Sequence, residues 1–279
     1  MAAVGVFCAS STRIEQRWLD LATDTGKELA ARGHTLISGG GRVGMMGTVA
    51  AGARSGGAHT VGVIPQTLVD WEVADTDSDE LIVTDGMGSR KNLLIERSDA
   101  FITLPGGLGT LDELFEVWTT ATLDLHRKPI VLLDPDGFYR PLLSWLSSLA
   151  ESEFVRPEAL SMVTVVDTVP AALDTIEAQL HVDRFNEAVA TGDWSSFLAL
   201  FAPDAVMTFD GPPVGPYQGI DAIAEGYATQ PPTDTMTIRE VNGKNVDFAW
   251  SRGGTGTMTI ERRDGLITHL AIAFHSAPA

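Results

Sequence analysis

Apolar and polar positions alternate along the chain in two textures. In the first 178 residues, seven short apolar runs recur: VGVF (4–7), TLIS (35–38), TVGVI (60–64), LIVT (81–84), AFITL (100–104), IVLLD (130–134) and MVTVV (162–166). Between most of them lie stretches with helical spacing. In IEQRWLDLATDTGKELAARG, Trp18, Leu21, Ala22, Leu29 and Ala30 fall roughly on one face of a 3.6-residue period. Apolar strands separated by helices of this length predict βαβ units, hence a doubly wound, Rossmann-like α/β domain with a parallel sheet and helices on both faces. The segment 66–80, QTLVDWEVADTDSDE, breaks the rhythm and predicts a polar surface loop.

From about residue 179 the texture changes. LHVDRFNEAVATGDWSSFLALFAPDAVMTF predicts two short helices, broken at Gly192-Asp193, and then a strand. A turn-rich stretch, GPPVGPYQG, leads to a helix, IDAIAEGYAT. The remainder, TMTIREV, NVDFAWS, TGTMTIERRDG and LITHLAIAFH, reads as strands with RRDG as a hairpin turn. Helices followed by an antiparallel meander predict a smaller α+β unit whose sheet curls around a helix. Two domains are therefore expected, 1–178 and 179–279, with the seam near 176–182 inside a helical segment.

Length and composition agree: 279 residues suit two domains, and 44% hydrophobic with 20% charged residues is ordinary for a soluble protein. No apolar run approaches the ~20 residues that span a bilayer, so no membrane partner is expected. MAAVGVFCASS lacks the basic start of a signal peptide. A single cysteine, Cys8, excludes an internal disulfide and fits a reducing cytoplasm. The net charge of −18 is spread over both parts, with 13 basic against 25 acidic side chains in residues 1–178 and 6 against 12 in 179–279. Neither part offers a basic face for nucleic acid. An anionic ligand would have to be held locally, by backbone amides and a few cations.

Two glycine-rich stretches follow predicted strands: SGGGRVGMMG (38–47) and PGGLGT (105–110). Glycine lets the backbone fold tightly and approach a ligand, and the first N–H groups of the following helix attract phosphate. Either stretch alone fits a plain strand-to-helix turn equally well. Neither is a Walker A loop, and the first is not a clean G-x-G-x-x-G, which counts against ATPase and dinucleotide-dehydrogenase readings. A third element, SRKNLLIERS (89–98), starts a helix with Arg90 and Lys91, where the helix dipole favours acids. Cations in that place suggest an anionic partner. Cys8 reads as a small core residue, and His34, His59 and His126 lack metal-ligand spacing, so no metal or cofactor is expected.

SGGGRVGMMG, SRKNLLIERSDAFITLPGGLGTLDELFEVWT and KPIVLLD closely resemble the Lonely Guy family of cytokinin-activating phosphoribohydrolases, whose signature pairs Arg-Lys with PGGxGTxxE. The resemblance covers about residues 3–178. Relatives have been labelled lysine decarboxylases, but nothing in this chain suggests a pyridoxal-phosphate lysine. The resemblance implies hydrolysis of the N-glycosidic bond of N6-substituted adenosine 5′-monophosphate, usually by a homodimer. It implies Glu113 as the carboxylate acting on the ribosyl carbon or on water, and Arg90 as a substrate-positioning residue. Gly106, Gly107, Gly109 and Thr110 would hold the 5′-phosphate, while Gly40, Gly41, Met45, Lys91 and Ser10 would line the nucleotide. Two departures stand out: Met87-Gly88-Ser89 precedes Arg90-Lys91 where Met-His-Glu is common, and Asp112 stands where Glu is common. Both put substrate preference in question rather than the hydrolytic core.

Residues 180–279 resemble the nuclear-transport-factor-2-like, or SnoaL-like, superfamily, through FNEAVATGDWSSFLALFAPDAVMTFDGP and YQGIDAI. That implies a cone of curved sheet around a pocket. Asp210 stands where ketosteroid isomerases place their base, but Phe185 stands where they have an oxyanion-binding tyrosine. A small-molecule pocket or a dimerising role is therefore expected ahead of catalysis there. His269 and His275 would share one face of a strand in a structural or pocket-lining role. Two rival readings remain: a non-catalytic nucleotide sensor, and an activity seated in the second domain around Asp210.

Overall fold

The computed structural model describes residues 1–71, 73–211 and 214–275. The chain divides into two compact units, Ala2–Leu173 and Asp174–Ala279.

The first unit runs β1 (Ala3–Phe7), α1 (Gln16–Ala31), β2 (Thr35–Ser38), α2 (Gly44–Ser55), β3 (Thr60–Pro65), α3 (Gln66–Asp70), β4 (Glu80–Thr84), α4 (Met87–Arg97), β5 (Ala100–Thr103), α5 (Leu108–Thr122), β6 (Ile130–Leu133), α6 (Arg140–Glu151), α7 (Pro157–Leu160) and β7 (Val163–Val166), and enters α8 (Val169–Thr191). All seven strands pair in parallel, in the order β4-β3-β2-β1-β5-β6-β7. The continuously apolar strands β3, β5 and β6 are buried throughout, whereas the edge strands β4 and β7 are partly exposed. This is why the central runs lack polar alternation. The stacked rings of Phe7 and Phe101, 5.7 Å apart, lie in the core. Strand order reverses at β1, whose neighbours are β2 and β5. In such sheets the crevice beyond the carboxyl ends of the strands flanking the reversal receives ligands. Both glycine-rich stretches and Ser10 leave from those ends.

Segment 66–80 lies mostly at the surface, as expected, but is not a plain loop. It holds α3, and its later part is fastened to the first glycine loop. Arg42 donates its N–H to the Val73 carbonyl (2.8 Å), and the Asp75 N–H donates to the Gly40 carbonyl (2.8 Å). Asp75 is buried and takes a 2.8 Å bond from Arg54, so the acid serves an internal ion pair rather than solvent. Glu72 lies outside the described residues.

The second unit continues from α8 through α9 (Ser195–Leu198), β8 (Phe201–Asp210), β9 (Tyr217–Gln218), α10 (Ile220–Thr229), β10 (Met236–Asn242), β11 (Asn245–Trp250), β12 (Thr255–Arg263) and β13 (Leu266–His275). The sheet order is β10-β11-β12-β13-β8-β9, antiparallel except between β13 and β8. The first predicted short helix is the end of the 23-residue α8. The RRDG hairpin forms: Asp264 (φ 53°) and Gly265 (φ 76°) take the left-handed conformations of a tight two-residue turn. Of the predicted GPPVGPYQG turn, Pro212 and Pro213 lie outside the described residues, and Tyr217-Gln218 forms β9. Phe185, Trp194, Phe197, Phe201, Tyr227 and Phe248 build an aromatic core beside a cavity of about 410 Å³.

Candidate active site

Glu113 sits in the second turn of α5 with its side chain 11% exposed, and Arg90 on α4 is 5% exposed at the side chain. Arg90 Nη1 donates to Glu113 Oε1 at 2.7 Å. Its Nε donates to the Val63 carbonyl within β3 (3.0 Å), and Nη2 reaches the Gly39 carbonyl after β2 (3.5 Å). The guanidinium thus ties β2, β3 and α5 together at the mouth of the sheet. Gly39 is required here for space: a Cβ at that position would lie 2.1 Å from Arg90 Nη2. Part of the glycine signal after TLIS therefore accommodates an arginine rather than a phosphate.

Burial pushes the Glu113 carboxyl above the ordinary carboxylate range, and the adjacent Arg90 charge opposes this without cancelling it. A partly desolvated carboxylate with a raised pKa is a stronger proton acceptor than an exposed one. Cys8, buried beside it, has its thiol pushed far up by burial and then by the Glu113 charge, so it is a closed core thiol.

Above this pair, α5 begins at Leu108 with Gly107 at its N-cap and no side-chain cap. Gly107, Leu108 and Gly109 are exposed, and no heavy atom lies within 4 Å of a Cβ built on Gly107 or Gly109. Uncapped N–H groups, an open approach and the positive end of the helix dipole make an anion seat. Gly106 differs, since a Cβ there would meet Thr110 Oγ1 at 2.1 Å. The buried Thr110 packs under the turn and shapes it from below. The turn is braced further by Tyr139, whose hydroxyl donates to the Leu104 carbonyl at 2.7 Å. Ser10 is exposed just past β1.

Several expected contacts fall elsewhere. Lys91 Nζ bonds Glu116 (3.0 Å) and Asp112 (3.3 Å), tying α4 to α5, and these acids raise its pKa, Glu116 first. It is engaged as a strut because α4 turns it toward the acidic face of α5; Asp112 is its partner rather than a departure without purpose. The Met45 side chain is fully buried, and its N–H donates to the Ala9 carbonyl (2.9 Å). The Gly40 N–H reaches Ser38 Oγ (3.3 Å), so the first glycine loop spends its backbone on its neighbours. Asp210 is exposed at the end of β8 and does not line the second-domain cavity, because the inward positions of that strand are Met207 and Phe209. His269 and His275 share the face of β13 opposite Leu270, Ile272 and Phe274, and it is those three that line the cavity. Sequence reasoning missed Tyr139 and the Val63 carbonyl, which carry no local signal because each acts through a partner at least 27 residues away; Gly39 carries the glycine signal of the first loop, but not its purpose. Among the described residues no cluster of His, Cys, Asp or Glu could hold a metal, and no helix is long and apolar enough to cross a membrane.

The profile of the "possible lysine decarboxylase" family matches residues 46–176, and that of the SnoaL-like domain matches 182–270. A cytokinin riboside 5′-monophosphate phosphoribohydrolase of Mycobacterium tuberculosis is 52% identical over 170 residues, covering 61% of this chain and 90% of that protein. A protein of the same name in Arabidopsis thaliana is 39% identical over 186 residues, covering 67% of this chain and 85% of its own. Among solved structures, the molybdenum cofactor carrier protein of Chlamydomonas reinhardtii matches with a TM-score of 0.50 and 26% identity, over 64% of this chain and 98% of that one. With the Arg90–Glu113 pair and the PGGLGT turn at the strand ends, these likenesses place the chain in the cytokinin riboside 5′-monophosphate phosphoribohydrolase (Lonely Guy) family, with a SnoaL-like domain following it.

Proposed function

We propose that this protein hydrolyses the N-glycosidic bond of N6-substituted adenosine 5′-monophosphates, giving the free base and ribose 5-phosphate. The observation that carries the reading is the buried Arg90–Glu113 pair, 2.7 Å apart, one to two turns below the open N-terminus of α5. A nucleotide whose 5′-phosphate rests on Gly107 and Gly109 would bring its sugar toward the Glu113 carboxylate, with Gly106 and the buried Thr110 shaping the turn beneath and Ser10 facing the same mouth. Gly40, Gly41 and Met45 support that mouth through the fold of the first loop.

Cleavage passes through an oxocarbenium-like sugar, which a nearby carboxylate stabilises. Water adds to the ribosyl carbon and gives a proton to Glu113. The carbon–nitrogen bond breaks with its electron pair going to the base, which takes up one proton, and the balance closes when Glu113 gives up the proton it received from water. Arg90 keeps Glu113 ionised and fixed in orientation against the desolvation that favours its neutral form. A protein that only bound an anionic nucleotide would gain nothing from a carboxylate in this place.

The hydrolytic unit is proposed to span 1–178, with 179–279 as the second domain, and the protein to act in the cytoplasm as a homodimer. The exposed Leu123, Leu125, Trp145 and Phe154 supply apolar surface of the kind a subunit contact covers.

The test is chromatographic detection of free base from isopentenyladenosine monophosphate and from AMP, with wild type, Glu113→Gln and Arg90→Ala. Base release by wild type that collapses in both variants supports the reading. Nucleotide binding without release from either substrate overturns it in favour of a nucleotide sensor.

A further inference from the structure

We propose that the cavity of the second domain is a binding site for a neutral, flat heteroaromatic molecule carrying an apolar substituent. The base released at the first site is such a molecule, a step that rests on the function proposed above.

Size, charge and unsatisfied polarity each bear on this. The cavity volume of about 410 Å³ falls within the range of small-molecule sites, roughly 300–1,000 Å³. Its walls are rings and thioethers, among them Phe185, Tyr217, Trp250, Phe274, Met207 and Met258. Such walls favour a flat π-system and an apolar tail.

No lysine or arginine is among the lining residues. The lining carboxylate, Asp234, is taken up by the Ser251 hydroxyl and by the Arg252 N–H at 3.1 Å. His181 is held neutral, with its pKa lowered to about 3 by burial and then by Arg262 and Arg184. A phosphate in this place would lose its hydration with no cation to replace it. The site therefore separates a free base from the nucleotide it came from.

The cavity wall also carries polar groups that the protein leaves short of partners. His181 Nδ1 and Trp250 Nε1 are buried without a hydrogen bond. The Tyr227 hydroxyl, in a residue 6% exposed, finds only the Met207 sulfur, a weak acceptor, at 3.5 Å. Buried polar groups are nearly always satisfied, and the Tyr227 hydroxyl, on a residue lining the cavity, is the group that a polar ligand atom would complete. A purely aliphatic guest would leave it as it is. A ring with an acceptor nitrogen would take the Tyr227 donor and pack against the Trp250 ring. Catalysis is not the better explanation, since Asp210 lies outside the cavity and Asp234 is already bonded.

The experiment is isothermal titration calorimetry on the full chain with N6-isopentenyladenine, isopentenyladenosine monophosphate and the neutral fluorophore 1-aminoanthracene. The proteins are wild type, Glu113→Gln, Trp250→Phe and Tyr227→Phe, each checked by circular dichroism. Expected is binding of the base to wild type and Glu113→Gln, weakened at least tenfold in Trp250→Phe and in Tyr227→Phe. Both cavity variants should release base from the nucleotide at the wild-type rate. Tyr227→Phe removes a single hydroxyl, so it answers the question even if Trp250→Phe disturbs the fold.

The proposal is overturned if the base does not bind, if neither cavity variant weakens it, or if the monophosphate displaces it from the Glu113→Gln protein. Binding of 1-aminoanthracene alone overturns the heteroaromatic assignment. Hydrolysis with no cavity binding sinks this inference and spares the proposed function; cavity binding with no hydrolysis does the reverse.

Discussion

Replacing Arg90 by alanine should lower the melting temperature of the first domain and silence it at neutral pH. The two side chains of the Arg90–Glu113 pair are 5% and 11% exposed, so neither can exchange its partner for bulk water. Removing one member of a buried pair costs about 3–5 kcal/mol, because the other charge is left unpaired. At ~2–4 °C per kcal/mol for a domain of this size, the melting temperature should fall by roughly 10 °C. The Val63 and Gly39 carbonyls lose their donor as well.

The pH dependence has a definite sign. Glu113 already has its carboxyl raised by burial, with Arg90 pulling the other way, so removing Arg90 raises it further. A carboxyl whose folded pKa exceeds its unfolded value, about 4.3, contributes stability below that value and loses it as pH rises through the folded pKa. The gap between variant and wild type should thus be widest at neutral pH and shrink toward about pH 4. Thermal melts by circular dichroism across this window measure it. Equal melting temperatures at pH 7, or a gap that does not change with pH, would refute the argument. Glu113→Gln is the companion: it keeps a hydrogen-bond acceptor for Arg90 but leaves the buried guanidinium charge unpaired, so it should lose part of the stability that Arg90→Ala loses while releasing no base.

Two glycines should behave oppositely. Gly39→Ala forces Arg90 aside, so kcat should fall with a destabilisation of about 1–3 kcal/mol, whereas Gly109→Ala enters open space and should raise KM with stability unchanged or slightly improved; steady-state kinetics and denaturant titration separate the two. Lys91→Met should cost about 1 kcal/mol through the lost α4–α5 tie and leave KM near wild type, and a large rise in KM would show that Lys91 grips substrate after all. Tyr139→Phe should cost about 1 kcal/mol and loosen the PGGLGT turn, seen as faster amide exchange at 106–110. The kcat/KM profile should lose activity on its acid side at a pH above that of an ordinary glutamate, because burial raises the Glu113 carboxyl.

The strands of the first domain were legible because burial on both faces writes itself as short, unbroken apolar runs; all seven observed strands start within one residue of the run that predicted them. The helix-starting cations and the PGGLGT turn were also legible, since glycine and a misplaced charge are local signals. What the sequence alone determined is therefore the parallel sheet, the appended α+β unit, the family and the two chemical groups, Arg90 and Glu113. Only the tertiary structure decided how each residue is used. It sent Lys91 to Glu116, put Gly39 under the Arg90 guanidinium, fastened Asp75 to the first glycine loop and turned Asp210 out of the cavity. It also gathered His181, Tyr227 and Trp250 into one wall from separate elements. The reason is range: strand periodicity and turn chemistry act over a few residues, whereas a buried charge or an orphaned donor finds its environment through contacts tens of residues apart, which no local pattern encodes.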